Sequence, residues 1–248
     1  MIDFASYTDA ILSALQTNPR ATDVIARKQE ILDGVYSTHN FNPSSILFIG
    51  FSPTILSCAA DVITVTAISQ TARDYLKAKG VKFTYIPLDD LTNYPKQFQV
   101  IVALEEFFTF AESDADQQNL IKIICSAATD LVISTLRDYK NQEFKDREFS
   151  LPALIRNGTE STVFVEYHDW DLKDRTLWNT MIYEIKNIKN PSSTLTTYGA
   201  FPRRTMYFKQ LAKFSTDAGA VGFLVHKNLM YKSLIKKNYE HVISIKFE

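Results

Sequence analysis

The chain opens on helical spacing. From Ala5 to Gln16 apolar side chains recur at three- and four-residue intervals, and Asn18-Pro19 breaks the run. Ala21–Leu32 repeats the pattern, with Gly34 placed to terminate it. Asn42-Pro43 marks a turn. The texture then changes. Ser45–Gly50, Asp61–Ile68, Val81–Pro87, Phe98–Leu104 and Asp130–Leu136 are short and almost continuously apolar. Helical stretches separate them, one reaching Lys79 and closed by Gly80, another over Asp114–Ala128. Short apolar strands alternating with helices predict a parallel sheet covered on both faces, joined by right-handed crossovers. After Arg137 the alternation stops. Residues 138–157 are charged and irregular, and Ser161–Tyr167 with Leu177–Lys186 alternate in polarity as an antiparallel hairpin does. Pro191–Ala200 reads as loop, Arg203–Thr216 as an amphipathic helix, and Ala220–Val225 and His241–Phe247 as closing strands.

Composition narrows the chemistry. Only 7 of 248 residues are glycine, and none forms a G-x-G-x-x-G fingerprint, a phosphate loop or a G-x-S-x-G elbow. A net charge of −1 commits the chain neither to nucleic acid nor to a membrane. Cys58 and Cys125 sit far apart in apolar stretches and read as buried hydrophobes of a reducing, cytoplasmic compartment. Cys and His show no zinc spacing, so no metal is expected. Apolar runs such as Val100–Leu104 are too short to span a membrane, and Met1-Ile2-Asp3 lacks the basic start of a signal peptide.

Three segments carry a family resemblance. Ile46-Leu47-Phe48-Ile49-Gly50-Phe51-Ser52-Pro53 resembles the first motif of class I (Rossmann-like) S-adenosylmethionine-dependent methyltransferases. Phe98–Glu105 is similar to that family's fourth strand, which runs into an acidic residue, and Arg203–Gly222 to its late helix and turn. The likeness covers residues 45–248, with 138–200 as an insertion. It implies an α/β, three-layer sandwich with a seven-stranded, mostly parallel sheet whose last strand is antiparallel. N-terminal helices and an inserted β-hairpin complete it. A single domain then comprises a helical cap (1–42), a cofactor-binding half (45–137), a lid (138–200) and a closing helix with strands (201–248).

The resemblance also implies a ligand, S-adenosyl-L-methionine, and places for it. Gly50 lets the backbone approach closely, and Phe51 and Ser52 follow it, Ser52 also as a cap with Pro53 at the first helical position. The plain alternative is a glycine that merely ends a strand. Ser69 stands where the family places an acid for the ribose hydroxyls, and equally suits an N-cap. Asp89 with Leu88 suits an adenine ring, or else caps a turn. Glu105, with Glu106, ends a strand at the ligand edge of the sheet, near Phe107 and Phe108. Methyl transfer chiefly needs donor and acceptor held in line, with a base only where a proton must leave.

Catalytic candidates come from two polar stretches. Tyr139, with Arg137, follows the fifth strand in Thr135–Asn141. Glu166–Asp171 is the richest titratable cluster, in which His168 with Asp169 or Asp171 suits a base over the acceptor, and an Asp-rich hairpin tip is the alternative. From Phe201 to Glu248 nine Lys or Arg face three acids, so nucleic acid is a candidate partner beside a solvated helix face. The acceptor, small molecule or macromolecule, is not legible. The functional expectation is methyl transfer from S-adenosylmethionine. A catalytically degenerate binding or scaffold protein of the same fold is the alternative, and a filled pocket at Gly50, Ser69 and Asp89 would mark it.

Overall fold

The computed structural model describes residues 4–139, 147–171, 173–174, 176–187, 192–235 and 239–248. The sequence readings at Met1–Asp3, Lys140, Asn141, Pro191, Lys236 and Lys237 lie outside the described residues.

Helix α1 (Phe4–Thr17) carries a single charge, Asp9, and buries a wide apolar face of Phe4, Tyr7, Ala10, Ile11, Leu12 and Leu15. Ser6, Asp9, Ser13, Gln16 and Thr17 share the opposite, partly exposed side. Helix α2 (Ala21–Thr38) runs through Gly34 instead of stopping there. A Cβ at Gly34 would stand 3.2 Å from Leu229 Cδ1, so this glycine serves close packing and not termination.

The core is a seven-stranded sheet, hereafter sheet A. Its strands are β1 (Ser45–Ile49), β2 (Val62–Thr66), β3 (Thr84–Tyr85), β4 (Phe98–Ala103), β5 (Ala128–Leu136), β11 (Gly222–Lys232) and β12 (Tyr239–Lys246). Their order is β11-β12-β5-β4-β1-β2-β3. The five early strands pair in parallel, β12 is antiparallel to β5, and β11 is antiparallel to β12. Helices α3 (Gln70–Ala78) and α4 (Asp114–Ala127) make the crossovers to β3 and β5, and α5 (Phe208–Asp217) precedes β11. The crossover from β1 to β2 holds only a short 3-10 turn, Pro53–Leu56. Both faces of the sheet are covered. His39, at the end of α2, reaches Ser244 on one face of β12, and Phe208 of α5 meets His241 on the other.

The insertion is larger than the expected hairpin. Strands β6 (Arg147–Phe149), β7 (Ala153–Asn157), β8 (Glu160–Trp170), β9 (Leu177–Lys186) and β10 (Thr194–Arg204) form a second, antiparallel sheet, sheet B. The predicted hairpin is its centre, β8 and β9. Two misread segments supply the rest. The short strands β6 and β7 share one edge of β8 and are too brief to show a period. The stretch read as loop is the edge strand β10, where Gly199 sits at φ +110 beside a register shift and Pro202 is tolerated. Arg203 and Arg204 end this strand, and the helix read from Arg203 begins at Phe208.

Helix α1 lies between the two sheets. Thr8 Oγ1 accepts a hydrogen bond from the Phe51 amide after β1 (3.1 Å), and Ser13 Oγ donates to Glu184 on β9 (2.9 Å). A buried ion cluster ties the sheets together beside it. Arg203 of β10, fully buried, reaches Glu106 Oε2 (3.4 Å), Glu166 Oε1 (3.5 Å) and Thr109 Oγ1 (2.7 Å). Burial works against this guanidinium's charge, but Glu106 and the groups around it outweigh burial and raise its pKa.

We expect Arg203→Leu to lower the unfolding free energy by about 3–5 kcal/mol in urea titrations, because Glu106 and Glu166 stay buried with one cation fewer. Adding Glu166→Gln should return part of the loss, since a neutral amide leaves no unpaired charge. A second expectation concerns pH. Nε2 of His39 and Nε2 of His226 both bond Ser244 Oγ, at 2.8 and 2.9 Å. Burial lowers both imidazole pKa values below 6.5, helped by Lys246 at His39 and by His39 at His226. The unfolded chain therefore takes up protons near pH 6.5 that the folded chain refuses, so this stability is complete above that pH and lost as pH falls below it. The urea midpoint should drop between about pH 7.5 and about pH 5.5, and less steeply in His226→Gln.

Candidate functional site

Strand order reverses between β1 and β4, and open α/β sheets bind ligands outside the carboxyl ends of their strands at such a point. The turns that leave β1, β2, β3 and β4 there hold every cofactor residue named from the sequence.

The β1 turn is built around Gly50, at φ +76, whose amide donates to Thr66 O (2.9 Å). A Cβ on Gly50 would lie 2.4 Å from Phe4 Cε1 and 2.8 Å from Thr8 Cγ2, so α1 presses directly on this turn. Phe51 is buried, its ring 6.0 Å from Tyr75. Ser52 caps the short 3-10 turn and meets Thr54 Oγ1 at 2.9 Å. At the end of β2, Ser69 caps α3 by accepting from the Ala72 amide (3.0 Å) and donates to Asp9 Oδ1 of α1 (2.6 Å). A carboxylate thus stands at the place where the sequence offered only a hydroxyl, supplied by α1.

Leu88 and Asp89, after β3, wall a cavity of about 570 Å³. Ala111, Asp116 and Leu120 on the α4 side and Phe201 of β10 complete the walls that matter here. The lining mixes these apolar side chains with Asp89, Glu112, Asp116 and Asn119.

The β4 end departs from regular geometry. Glu105 and Glu106 are consecutive left-handed residues (φ 57 and 56), and both are buried. Each carries its own anchor. Glu105 accepts from Tyr231 OH (2.6 Å), and Glu106 accepts from Tyr139 OH (2.7 Å) and Arg137 Nε (2.8 Å). Thr135 Oγ1 accepts from the Glu106 amide (3.1 Å) and donates to Glu240 Oε2 (2.5 Å). Burial first, then Glu106, pushes the Tyr139 phenol far above its ordinary pKa, so it donates as a neutral hydroxyl. Burial and then Glu105 do the same to Tyr231.

The catalytic candidates separate. His168 and Asp169 are neighbours on β8 and so face opposite sides of sheet B. His168 points inward, buried, its Nε2 3.4 Å from Glu166 Oε1, and neither ring nitrogen has a hydrogen-bond partner among the described residues. Asp169 points outward toward Arg147 (3.6 Å). Asp171 turns the β8–β9 connection by accepting from the Lys173 and Asp174 amides, as the hairpin-tip reading held. Tyr139 joins the His168 side, its ring 5.6 Å from Trp178, which lies 6.3 Å from the His168 ring. Sequence reasoning missed Phe4, Thr8 and Asp9, and the link from Glu106 through Arg203 to Glu166. The wide apolar face of α1 was the available signal for Phe4, and nothing in the sequence marked Thr8 or Asp9.

The basic C-terminal segment is partly spent internally. Arg203 is enclosed, and Arg204 pairs with Asp114 (2.5 Å) and Asp174 (2.9 Å). Among the described residues no group of three or more His, Cys, Asp or Glu is arranged to hold a metal, and no helix is long and apolar enough to cross a membrane.

No protein-family model matches the sequence, and no curated protein does. Solved structures do resemble the fold. An S-adenosylmethionine-dependent methyltransferase from Clostridium acetobutylicum superposes with TM-score 0.65 at 10% identity, covering 90% of this chain and 91% of its own. DesVI of Streptomyces venezuelae gives 0.66 at 10% identity over 92% and 94%. An S-adenosylmethionine-bound amino pentose methyltransferase from Micromonospora echinaspora gives 0.60 at 8% identity over 94% and 92%. The chain has the fold of the class I S-adenosylmethionine-dependent methyltransferases.

Proposed function

We propose that this chain is an S-adenosylmethionine-dependent methyltransferase whose acceptor is a small molecule bound beneath sheet B. The cavity at the end of β3 carries this reading. Its volume of about 570 Å³ lies within the range of ligand sites, and the two residues assigned to adenine from the sequence wall it. Neighbours of the same fold include an amino pentose methyltransferase and a sugar N-methyltransferase, which supports a small acceptor.

The residues fit the cofactor unevenly. Leu88 and Asp89 offer an apolar wall and a carboxylate to the adenine. Ser69 with Asp9 offers hydroxyl and carboxylate to the ribose. At the Gly50 turn Phe4 and Thr8 fill the approach that the cofactor's amino-acid tail would need. The cofactor, when bound, supplies an electrophilic methyl group. For an acceptor that must lose a proton, the base we assign is His168, buried beside Glu166 under sheet B and outside the lining of this cavity. Tyr139 and Arg137 hold Glu106 in place, and sheet B excludes water. One observation favours a second reading, a binding or scaffold protein that takes no cofactor: the packing of α1 against Gly50.

Calorimetric titration with S-adenosylhomocysteine separates the two. The methyltransferase reading expects binding by the wild type, several-fold tighter binding by Phe4→Leu, and about tenfold weaker binding by Asp89→Ala, the equivalent of one charged hydrogen bond. No heat and no thermal shift at about 1 mM ligand, in wild type and Phe4→Leu alike, establishes the second reading.

A further inference from the structure

The ligand edge of sheet A is closed at one end and open at the other. At the β1 end Gly50, Phe51, Ser52, Pro53, Thr54 and Ile55 are all buried. Their amides are spent on internal partners. Gly50 N donates to Thr66 O (2.9 Å), Phe51 N to Thr8 Oγ1 (3.1 Å), Thr54 N to Ser52 Oγ (3.4 Å) and Ile55 N to Ser52 O (3.1 Å). Pro53 has no amide hydrogen to offer. Thr8 Oγ1 in turn donates to Ala5 O (3.1 Å), and the Thr8 methyl group stands with the Phe4 ring against Gly50. An ammonium and a carboxylate brought here would leave water and meet donors already in use, so their desolvation is not offset.

The β3 end is different. The cavity of about 570 Å³ has Leu88, Leu120 and Phe201 as apolar walls and Asp89, Glu112 and Asp116 as acceptors. Its described lining includes no Lys, Arg or His, and none of Gly50, Phe51 or Ser52. An uncharged planar ring bearing N–H groups suits such walls, its face on the apolar side chains and its N–H groups on a carboxylate. A phosphate does not suit them, because three carboxylates repel it and no lining cation attracts it.

We infer that this site is selective for an adenine nucleoside without an amino-acid tail, such as adenosine or methylthioadenosine, over the whole cofactor or its demethylated product. The inference rests on the reading of this cavity as the nucleoside end of the cofactor site, and adds a selectivity which that reading does not contain. A tail-less nucleoside places its base in the open cavity and asks nothing of the Gly50 turn. The whole cofactor offers the same base but must also displace Phe4 and Thr8, and that displacement consumes what tail contacts would contribute. A tail-less nucleoside therefore competes with S-adenosylmethionine and restrains the reaction.

Calorimetric titration of the full chain with methylthioadenosine, adenosine monophosphate and S-adenosylhomocysteine tests this. We expect methylthioadenosine to bind the wild type more tightly than S-adenosylhomocysteine, and the monophosphate to bind about tenfold more weakly than either. Phe4→Leu, which opens the approach to Gly50, should tighten S-adenosylhomocysteine several-fold more than methylthioadenosine. Thr8→Ala, which releases the Phe51 amide, should act in the same direction and serves if Phe4→Leu does not fold. S-adenosylhomocysteine binding about tenfold more tightly than methylthioadenosine to the wild type overturns the inference and leaves the methyltransferase reading standing. Methylthioadenosine bound by a chain that takes no S-adenosylhomocysteine in any variant upholds the inference and removes that reading. Binding of neither ligand overturns both.

Discussion

The enclosure of α1 is the constraint on which the remaining architecture depends. Its apolar side chains fill a face too wide to leave in water, and Ser6, Asp9, Ser13, Gln16 and Thr17 form the polar stripe opposite. Sheet A buries one flank, through Phe4 and Thr8 at the Gly50 turn. Sheet B buries another, where Tyr7 meets Phe201 at 5.6 Å. An aromatic group of Phe4, Tyr7, Phe107 and Phe110 fills the space between, with ring centroids 4.8–5.8 Å apart. The helix is thus at once the core of the upper half and the cover of the ligand edge. Core packing and access to the strand ends therefore compete for the same side chains.

The polar counterpart is the cluster around Glu106 and Arg203. Two consecutive left-handed glutamates strain the backbone by roughly 1–3 kcal/mol each. Their anchors diverge: Glu105 is tied to Tyr231 of β11, Glu106 to Arg137, Tyr139 and Arg203. Such a turn aims two adjacent carboxylates at different neighbours, and the ion pairs hold sheet B at a fixed height above the strand ends. Loss of one member leaves its partners charged in a dry interior, so the cluster behaves as a unit.

Much of sheet A was legible in the sequence because strands buried on both faces read as unbroken apolar runs, such as Ile46–Ile49 and Val100–Ala103. Asp89 and Leu88 were legible because turn position places them at the strand ends. Sheet B was legible only at β8 and β9, where the alternation is long enough to count. In β10, threonines with Gly199 and Pro202 imitate a loop. Charged residues were the least readable: nothing in a linear sequence separates Arg203, wholly enclosed, from a solvated lysine. The separation of His168 from Asp169 was available in principle, since neighbours on a strand point apart. It was missed because the strand was ended at Tyr167 and runs to Trp170.

The enclosure of α1 has a consequence for biosynthesis. The helix leaves the ribosome before each of these partners, which arrive in order of increasing delay: Phe51, Ser69, Phe110, then Glu184, separated from Ser13 by 171 positions, and Phe201 last. Until then an apolar helix waits without a home. Loop closure of this length slows folding and prolongs exposure of sticky surface. The nascent chain therefore exposes the apolar face of Phe4–Thr17 while its later half is being made, and co-translational shielding of that face would limit aggregation in this interval.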